Sequence, residues 1–459
     1  MDETLSTAAL LELEAQVCSF GDTVHYNDPV RIFTRCEGRY LFDEDDNRYL
    51  DFQMMYSAAN FGYRNQHFET ALHEQIETIP QVSSEYLTRE KVLLSQWIAG
   101  SMKDRWGEEG RVHFNVGGAQ AIDDSLKLVA VNKGHRRVFA FEGGYHGRTI
   151  GASALTSSYR YRRGYGEFGS RAQFVPFPYC FRCPYGKQRE TCELYCVKQV
   201  ERLFESEYQA VLDTRSGETE LAAFYVEPVQ GTGGYIVPPE GYFPALKEVL
   251  DRYGVLLVVD EIQMGLFRTG KLWAIEHFGV SPDIIVFGKS LTNGLNPLSG
   301  LWAKEDLISP EKFPPGSTHS TYSNNPLGMR LGCATFEWLD QVDYERSVPE
   351  MGAYLLEGLR DLQSRHPEIG DVNALGLAGR IEMCHSDGKT PDGAITRRLH
   401  RMALDTSVKT DAGPLRLVLD IGGHFKNVFT LAPDLNIDAL DIDRFLLIFE
   451  DLLRSAKTQ

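Results

Sequence analysis

Long apolar runs are missing from this chain of 459 residues. None approaches the ~20 consecutive residues that a membrane-spanning helix needs. Basic charge is in short supply too: the formal net charge is −17 and the isoelectric point about 5.2. Such a surface repels nucleic acid and anionic membranes. The opening stretch, "MDETLSTAALLELEAQV", is acidic and lacks the basic segment and apolar core of a secretory signal. Low-complexity tracts and internal repeats are also missing. The expectation is a cytoplasmic chain whose eight cysteines are free or ligating rather than disulfide-bonded.

What is present is the composition of a globular protein, 42% hydrophobic and 24% charged. The length exceeds one ordinary core, so two domains, or one domain with a lobe, are expected. Residues 137–141, 221–226, 255–259 and 283–287 are short apolar runs rich in β-branched or aromatic residues, and they read as buried strands of a mainly parallel sheet. Helical patterns over 118–133 and 242–253 alternate with them. That alternation implies an α/β layer architecture with ligands bound beyond the carboxyl ends of the strands. The tail changes character: amphipathic helices over 344–365 and 438–455 flank a strand at 415–420, and a hairpin at 39–52 with "DEDDN" at its turn joins the same α+β lobe. The expected division is a small-domain segment over 1–75, a large domain over 76–330, and the rest of the small domain over 331–459.

The stretch "VVDEIQMG" (258–265) ends a strand on two adjacent acids, Asp260 and Glu261. On the next strand "FGKS" places Lys289 at the carboxyl end. The pair Gly117–Gly118 opens the 118–133 helix, whose first N–H groups and dipole suit a phosphate. After the strand at 137–141, "EGGYHGR" offers Tyr145 as a flat ring. Taken singly these are a solvated lysine, a loop start and a turn. Together, a lysine, an acid, a phosphate cradle and an aromatic plate are the parts of a pyridoxal phosphate site. Lys289 would form a Schiff base with the cofactor aldehyde and move protons at the substrate carbon. Asp260 would keep the pyridine nitrogen protonated. Tyr145 would stack on the ring, Gly118 and Ala119 would donate to the phosphate, and Gln263 would reach the ring hydroxyl; His146 is assigned to the same cofactor set. A Walker-type phosphate loop is excluded, because Asp283 stands where its first glycine belongs.

"EPVQGTGG" (227–234), "LLVVDEIQMGLFRTGKLWAIEHFGVSPDIIVFGKSLTNGLNPLSG" (256–300) and "THSTYSNNPLG" (318–328) resemble the class III aminotransferases, the ω-aminotransferase branch of the fold-type I pyridoxal phosphate enzymes. The resemblance runs from about residue 30 to the C-terminal helix. It implies the type I transferase fold, with a large domain around a mainly parallel sheet and a smaller α+β domain from both chain ends. It also implies a homodimer with composite sites. Matched position by position, Glu227 and Gln230 line the site beneath Lys289, and Thr321 reaches the phosphate of the partner's cofactor. Tyr56 faces the substrate, and Arg148 matches an arginine that binds a substrate carboxylate in members resembling 4-aminobutyrate aminotransferase. An ion pair at a domain edge is the other reading of Arg148.

Three positions depart from the family pattern. Glutamate-using relatives carry a glutamate where Thr232 stands and an arginine where Thr430 stands. That arginine binds the α-carboxylate of glutamate, and the glutamate shields it. Losing both together avoids an unpaired buried charge. Gln120 replaces a glutamate of the family's "GAEA". The activity implied is transamination between a non-standard amine, such as an amino sugar or another secondary-metabolite amine, and a carbonyl acceptor. The same site would serve an epimerase or racemase if Tyr56 or Tyr322 supplied a second proton donor, or a lyase or dehydratase if a substituent were expelled. A non-catalytic scaffold without cofactor is the third reading, and the intact Lys289, Asp260 and Tyr145 speak against it.

Two further segments carry chemistry. "CFRCPYGKQRETCELYC" spaces Cys180, Cys183, Cys192 and Cys196 as C-x2-C-x8-C-x3-C, which suits a zinc or iron–sulfur site as well as a set of reduced structural thiols. The aromatic–basic run at 159–169 has the composition of a single-strand nucleic-acid platform, but the acidity of the chain favours a substrate-channel or subunit-contact loop.

Overall fold

The four runs read as parallel strands form the middle of a seven-stranded sheet in the computed structural model, which describes residues 5–21, 30–134, 137–158, 161, 172–209 and 211–458. In spatial order its strands are Gly110–Asn115, Ser299–Lys304, Ile284–Phe287, Leu256–Asp260, Leu221–Val226, Arg137–Phe141 and Gln173–Val175. Ser299–Lys304 runs antiparallel to both neighbours, and the remaining pairings are parallel. Leu257 and Val259 face one core while Val258 faces the other; Ile285 and Phe287 alternate with Ile284 and Val286 in the same way. Burial on both faces is why these strands read as continuous apolar runs instead of alternating ones. The expected helices are present as Gly118–Lys133 and Tyr242–Arg252.

Both chain ends meet in a second, five-stranded sheet. The hairpin Tyr40–Asp43/Arg48–Asp51 forms as expected, its turn held by the Asp43 carboxylate, which accepts from Asp45 N at 3.1 Å and Asn47 N at 2.9 Å. Arg48–Asp51 then pairs in parallel with Gly413–Val418, Leu50 opposite Leu417. The helices Tyr344–Arg365 and Ala439–Thr458 match the amphipathic patterns read from the tail. Among the described residues no helix is long and apolar enough to cross a membrane.

The expected strand at 415–420 is corrected. Gly413–Val418 belongs to the five-stranded sheet, but Asp420–Gly422 joins a separate four-stranded sheet, antiparallel to Val428–Leu431. The switch falls at Leu419, whose side chain is buried and whose carbonyl binds the His400 ring nitrogen Nε2 at 3.0 Å. A chain that buries Leu419 and turns there cannot continue in its first sheet.

Candidate active site

Asp260 ends one parallel strand, and Lys289 follows the end of its neighbour. Asp260 lies opposite Val286, so the two side chains project from the same edge of the sheet. Asp260 Oδ2 accepts from His146 Nδ1 at 2.8 Å, and Oδ1 accepts from Ile262 N at 3.0 Å. Burial works against charge on His146, yet the hydrogen bond and charge of Asp260, with Glu227, hold its pKa above the ordinary value. Lys289 is in the left-handed region, with φ 43°. Burial pushes its pKa down to about 8 against the upward pull of Asp260, Glu227 and Asp420. Glu227 accepts from Gly231 N at 3.0 Å and Tyr145 N at 3.2 Å, and burial raises it to about 7.

The second acid of "VVDEIQMG" has a different fate. Glu261 turns away from the site and accepts from Ala274 N at 2.9 Å and Ile275 N at 2.8 Å, capping the short 3-10 turn Ala274–Phe278. One acid faces a cavity and the other holds a loop.

That cavity, about 580 Å³, is lined by Asp260, Lys289, Tyr145, His146, Arg148 and Gln263, with Gly118 and Ala119 at one wall. Gly118 opens a 16-residue helix whose N-cap, Gly117, makes no side-chain capping bond, so the first turn presents its N–H groups to the cavity. A Cβ on Gly118 would lie 2.8 Å from Ile262 Cδ1, so a larger residue there would require the tip of that side chain to move. Gln120, the departure with no functional account in the sequence, places Oε1 3.4 Å from Val116 N just ahead of this helix. Gln263 Nε2 donates to the Tyr235 hydroxyl at 3.0 Å and contacts the Tyr56 carbonyl at 3.4 Å. Gln230 lies behind the cavity wall, its Nε2 on the Glu142 carbonyl at 2.8 Å.

The remaining candidates fall in four places. Arg148 lies at the cavity with its guanidinium 4.3 Å from the Tyr161 ring centroid. Tyr56 sits in a turn of positive φ running from Met54 to Ser57, at 44°, 52°, 55° and 66°. Each such residue costs about 1–2 kcal/mol; Asp51 offsets the strain by accepting from Gln53 N at 2.7 Å and Met54 N at 3.0 Å. Thr321 and Tyr322 are exposed, and their own chain does not bring them to the cavity. Thr232 and Thr430 converge on the Asp420–Gly422 strand: Gly423 N donates to the Thr232 carbonyl at 3.0 Å, and Thr430 Oγ1 donates to Asp420 Oδ2 at 2.8 Å.

Asp420 is a charged neighbour of Lys289 that the sequence reading missed. Its signal was there, an acid closing an apolar run, but the run was read as a single strand. Tyr235, Ile262 and Met264 were also missed; they are ordinary core types that only packing places at the site.

The zinc or iron–sulfur expectation is not supported. Cys180, Cys183, Cys192 and Cys196 are free thiols, and among the described residues no group of three or more His, Cys, Asp or Glu is arranged to hold an ion. Burial raises Cys180 and pushes Cys196 up to about 11, which favours the protonated thiol at those two positions. Of the run at 159–169, all but Tyr161 lies outside the described residues.

A desolvated lysine, a carboxylate ordered by a histidine, and an uncapped helix start around one cavity fit pyridoxal phosphate: aldehyde at Lys289, ring nitrogen at Asp260, phosphate at Gly118 and Ala119. On this sheet they define a pyridoxal phosphate enzyme of fold type I. The chain belongs to the class III aminotransferases, the Aminotransferase class-III family model matching residues 23–453. It is 31% identical over 417 residues to the leucine/methionine racemase of Thermococcus litoralis, covering 90% of this chain and 88% of that one. It is also 31% identical over 377 residues to the ornithine aminotransferase of Brevibacillus brevis, covering 80% and 84%. Among solved structures, a thermostable (S)-enantioselective ω-transaminase from Thermomicrobium roseum superposes with a TM-score of 0.84 at 25% identity, over 99% of this chain and 100% of that one.

Proposed function

We propose that the chain is an aminotransferase moving an amino group between a non-standard amine, of the amino-sugar or secondary-metabolite kind, and a carbonyl acceptor. Lys289 holds the cofactor aldehyde and afterwards carries the proton to and from the substrate carbon. Its lowered pKa supports this role, because a neutral amine is both nucleophile and base. Asp260, kept in place by His146, holds the proton on the ring nitrogen. When bound, the cofactor supplies an electron sink for the substrate carbon. Tyr145 and Gln263 line the cavity and would cover the ring and reach its hydroxyl, while Glu227 holds the backbone at Tyr145 and Gly231.

The same reading makes the unit a homodimer, in which the exposed Thr321 serves the partner's phosphate and Tyr322 the partner's substrate. It keeps the small domain as 1–75 with 331–459 around a large domain over 76–330.

The observation that carries the substrate part is the meeting of Thr232 and Thr430 on one strand. Where glutamate-using relatives hold a glutamate–arginine pair, position 430 here carries a hydroxyl bonded to Asp420, and Arg380, which pairs opposite it, is tied to Glu382 and Tyr179. The test mixes holoenzyme with L-glutamate and no acceptor while following the absorption of the bound cofactor. The band is expected to persist; its loss would show that glutamate is a donor and overturn the substrate part.

A second reading is racemisation or epimerisation, supported by the likeness to the leucine/methionine racemase. Solvent deuterium in recovered substrate with a changed stereocentre, and no need for a carbonyl acceptor, would establish it in place of transamination.

A further inference from the structure

The helix that opens at Gly118 carries an acid on its core face. Asp124 stands there among Ala121, Ile122, Ser125 and Leu128, and it is only 2% exposed. A carboxylate taken out of water is costly unless donors replace the water, and here they do. Oδ1 accepts from Lys127 Nζ at 2.9 Å and from Thr318 Oγ1 at 2.6 Å, while Oδ2 meets His113 Nε2 at 3.1 Å and accepts from Asn115 Nδ2. Burial works against the charge, yet these four partners hold the pKa below the ordinary carboxylate value. Thr318 is pinned twice, since its hydroxyl also accepts from Lys127 Nζ at 3.1 Å. Three residues further on is Thr321, the residue that the resemblance sends to the partner's phosphate. The far end of that segment is tied as well: the buried Asn324 donates from Nδ2 to the Tyr86 carbonyl at 2.6 Å, and His319 Nε2 meets Ser84 Oγ at 2.6 Å. Thr321 and Tyr322 stand exposed between these anchors. Gly118, at the turn that faces this chain's own cavity, lies about 9 Å back along the same helix axis.

We propose that Asp124 is a positioning residue for cofactor binding: by holding Thr318, it sets the segment from which Thr321 reaches the partner's phosphate. This rests on the reading of the unit as a homodimer with composite sites. Asp124 does not line the cavity, so it acts through that segment alone. Lys127 completes the brace by closing a triangle with Asp124 and the Thr318 hydroxyl. The helix that offers Gly118 and Ala119 to one cofactor thereby also braces the contact to the other.

In the test, the full-length chain is freed of cofactor and reloaded with pyridoxal phosphate or with pyridoxal, which keeps the aldehyde and ring but lacks the phosphate. Affinity is read by calorimetry and by cofactor absorption, without turnover. A hydrogen bond to a charged group is worth roughly 10- to 100-fold, so displacing Thr321 should weaken pyridoxal phosphate about 10-fold. That loss is expected in Thr318→Val and in Asp124→Asn, with pyridoxal affinity unchanged. Thr318→Ser, which keeps the hydroxyl, should bind as the parent does. Asp124→Asn also disturbs His113; Thr318→Val leaves the acid and its other partners in place and decides the matter if the first variant does not fold. In a Thr321→Val chain, adding Thr318→Val should cost nothing further. Equal weakening of both ligands in Thr318→Val would mark a merely structural role and overturn the inference. An unchanged pyridoxal phosphate affinity in Thr318→Val, alongside a weakened one in Thr321→Val, would overturn it too and leave the composite dimer standing. If Thr321→Val itself leaves that affinity unchanged, the composite-site reading fails and the inference falls with it.

Discussion

Cofactor uptake should report the ionisation of Lys289 directly. Burial lowers its pKa from 10.5 to about 8 even though Asp260, Glu227 and Asp420 pull it upward. That drop corresponds to about 3 kcal/mol of desolvation in excess of the attraction. At neutral pH it enlarges the neutral, nucleophilic fraction roughly 300-fold over a free lysine. The cofactor-free chain is mixed with pyridoxal phosphate in a stopped-flow, and the rate of the absorbance change is followed across pH. The rate should climb about tenfold per unit at low pH and level off above about 8. Glu227→Gln removes one upward pull, so its plateau should begin at lower pH; Lys289→Ala should abolish the change. The linkage runs the same way in stability. Between about 8 and 10.5 the folded chain has released a proton that the unfolded chain keeps, so the cofactor-free protein gains stability as pH rises through that window. A rate still climbing at the pH of a free lysine, or a Glu227→Gln profile displaced upward, would refute the argument.

Four further outcomes are expected. Burial pushes Glu261 from 4.5 up to about 8, so stability present below 4.5 is lost as pH rises through that range; Glu261→Gln should flatten this slope in urea titrations, and an unchanged slope would count against it. Glu261→Ala, which leaves the Ala274 and Ile275 N–H groups unpaired, should cost about 2–4 kcal/mol by the same assay. Asp51→Ala removes the anchor of the positive-φ turn and should cost about 2–4 kcal/mol while raising KM through the displaced Tyr56; normal stability with normal KM would show that the turn holds itself. Prolonged dialysis against a chelator should change neither melting temperature nor cofactor content, whereas stoichiometric zinc or iron in elemental analysis would restore a metal role for the Cys180–Cys196 loop.

The legible part of the site lay in local patterns. Asp260 and Lys289 each close a short apolar run, and two-sided burial makes such runs conspicuous. Gly117 and Gly118 precede a helical period, and the uncapped helix start is where that pattern puts it. Glu261 has the same local setting as Asp260, yet the packing of residues 274 and 275 above it decides that it caps a turn instead of facing the cavity. Spacing likewise showed which cysteines could meet, but ligation depends on side chains converging on one point, and among the described residues no group of three or more His, Cys, Asp or Glu does so.

Asp420 shows where the reading ran out and why. Like Asp260 it closes an apolar run, "LRLVLD", and by pattern alone the two are equivalent. What separates them is the exchange of sheets at Leu419, which depends on the burial of that side chain and on His400 holding its carbonyl. Without the exchange, Asp420 would extend the five-stranded sheet beside Gln53 and could not meet Thr430. Thr430 was legible only as a missing arginine, since a sequence comparison shows a lost charge more readily than one that folding supplies from elsewhere. Part of the electrostatics at Lys289 therefore follows from a turn between two sheets.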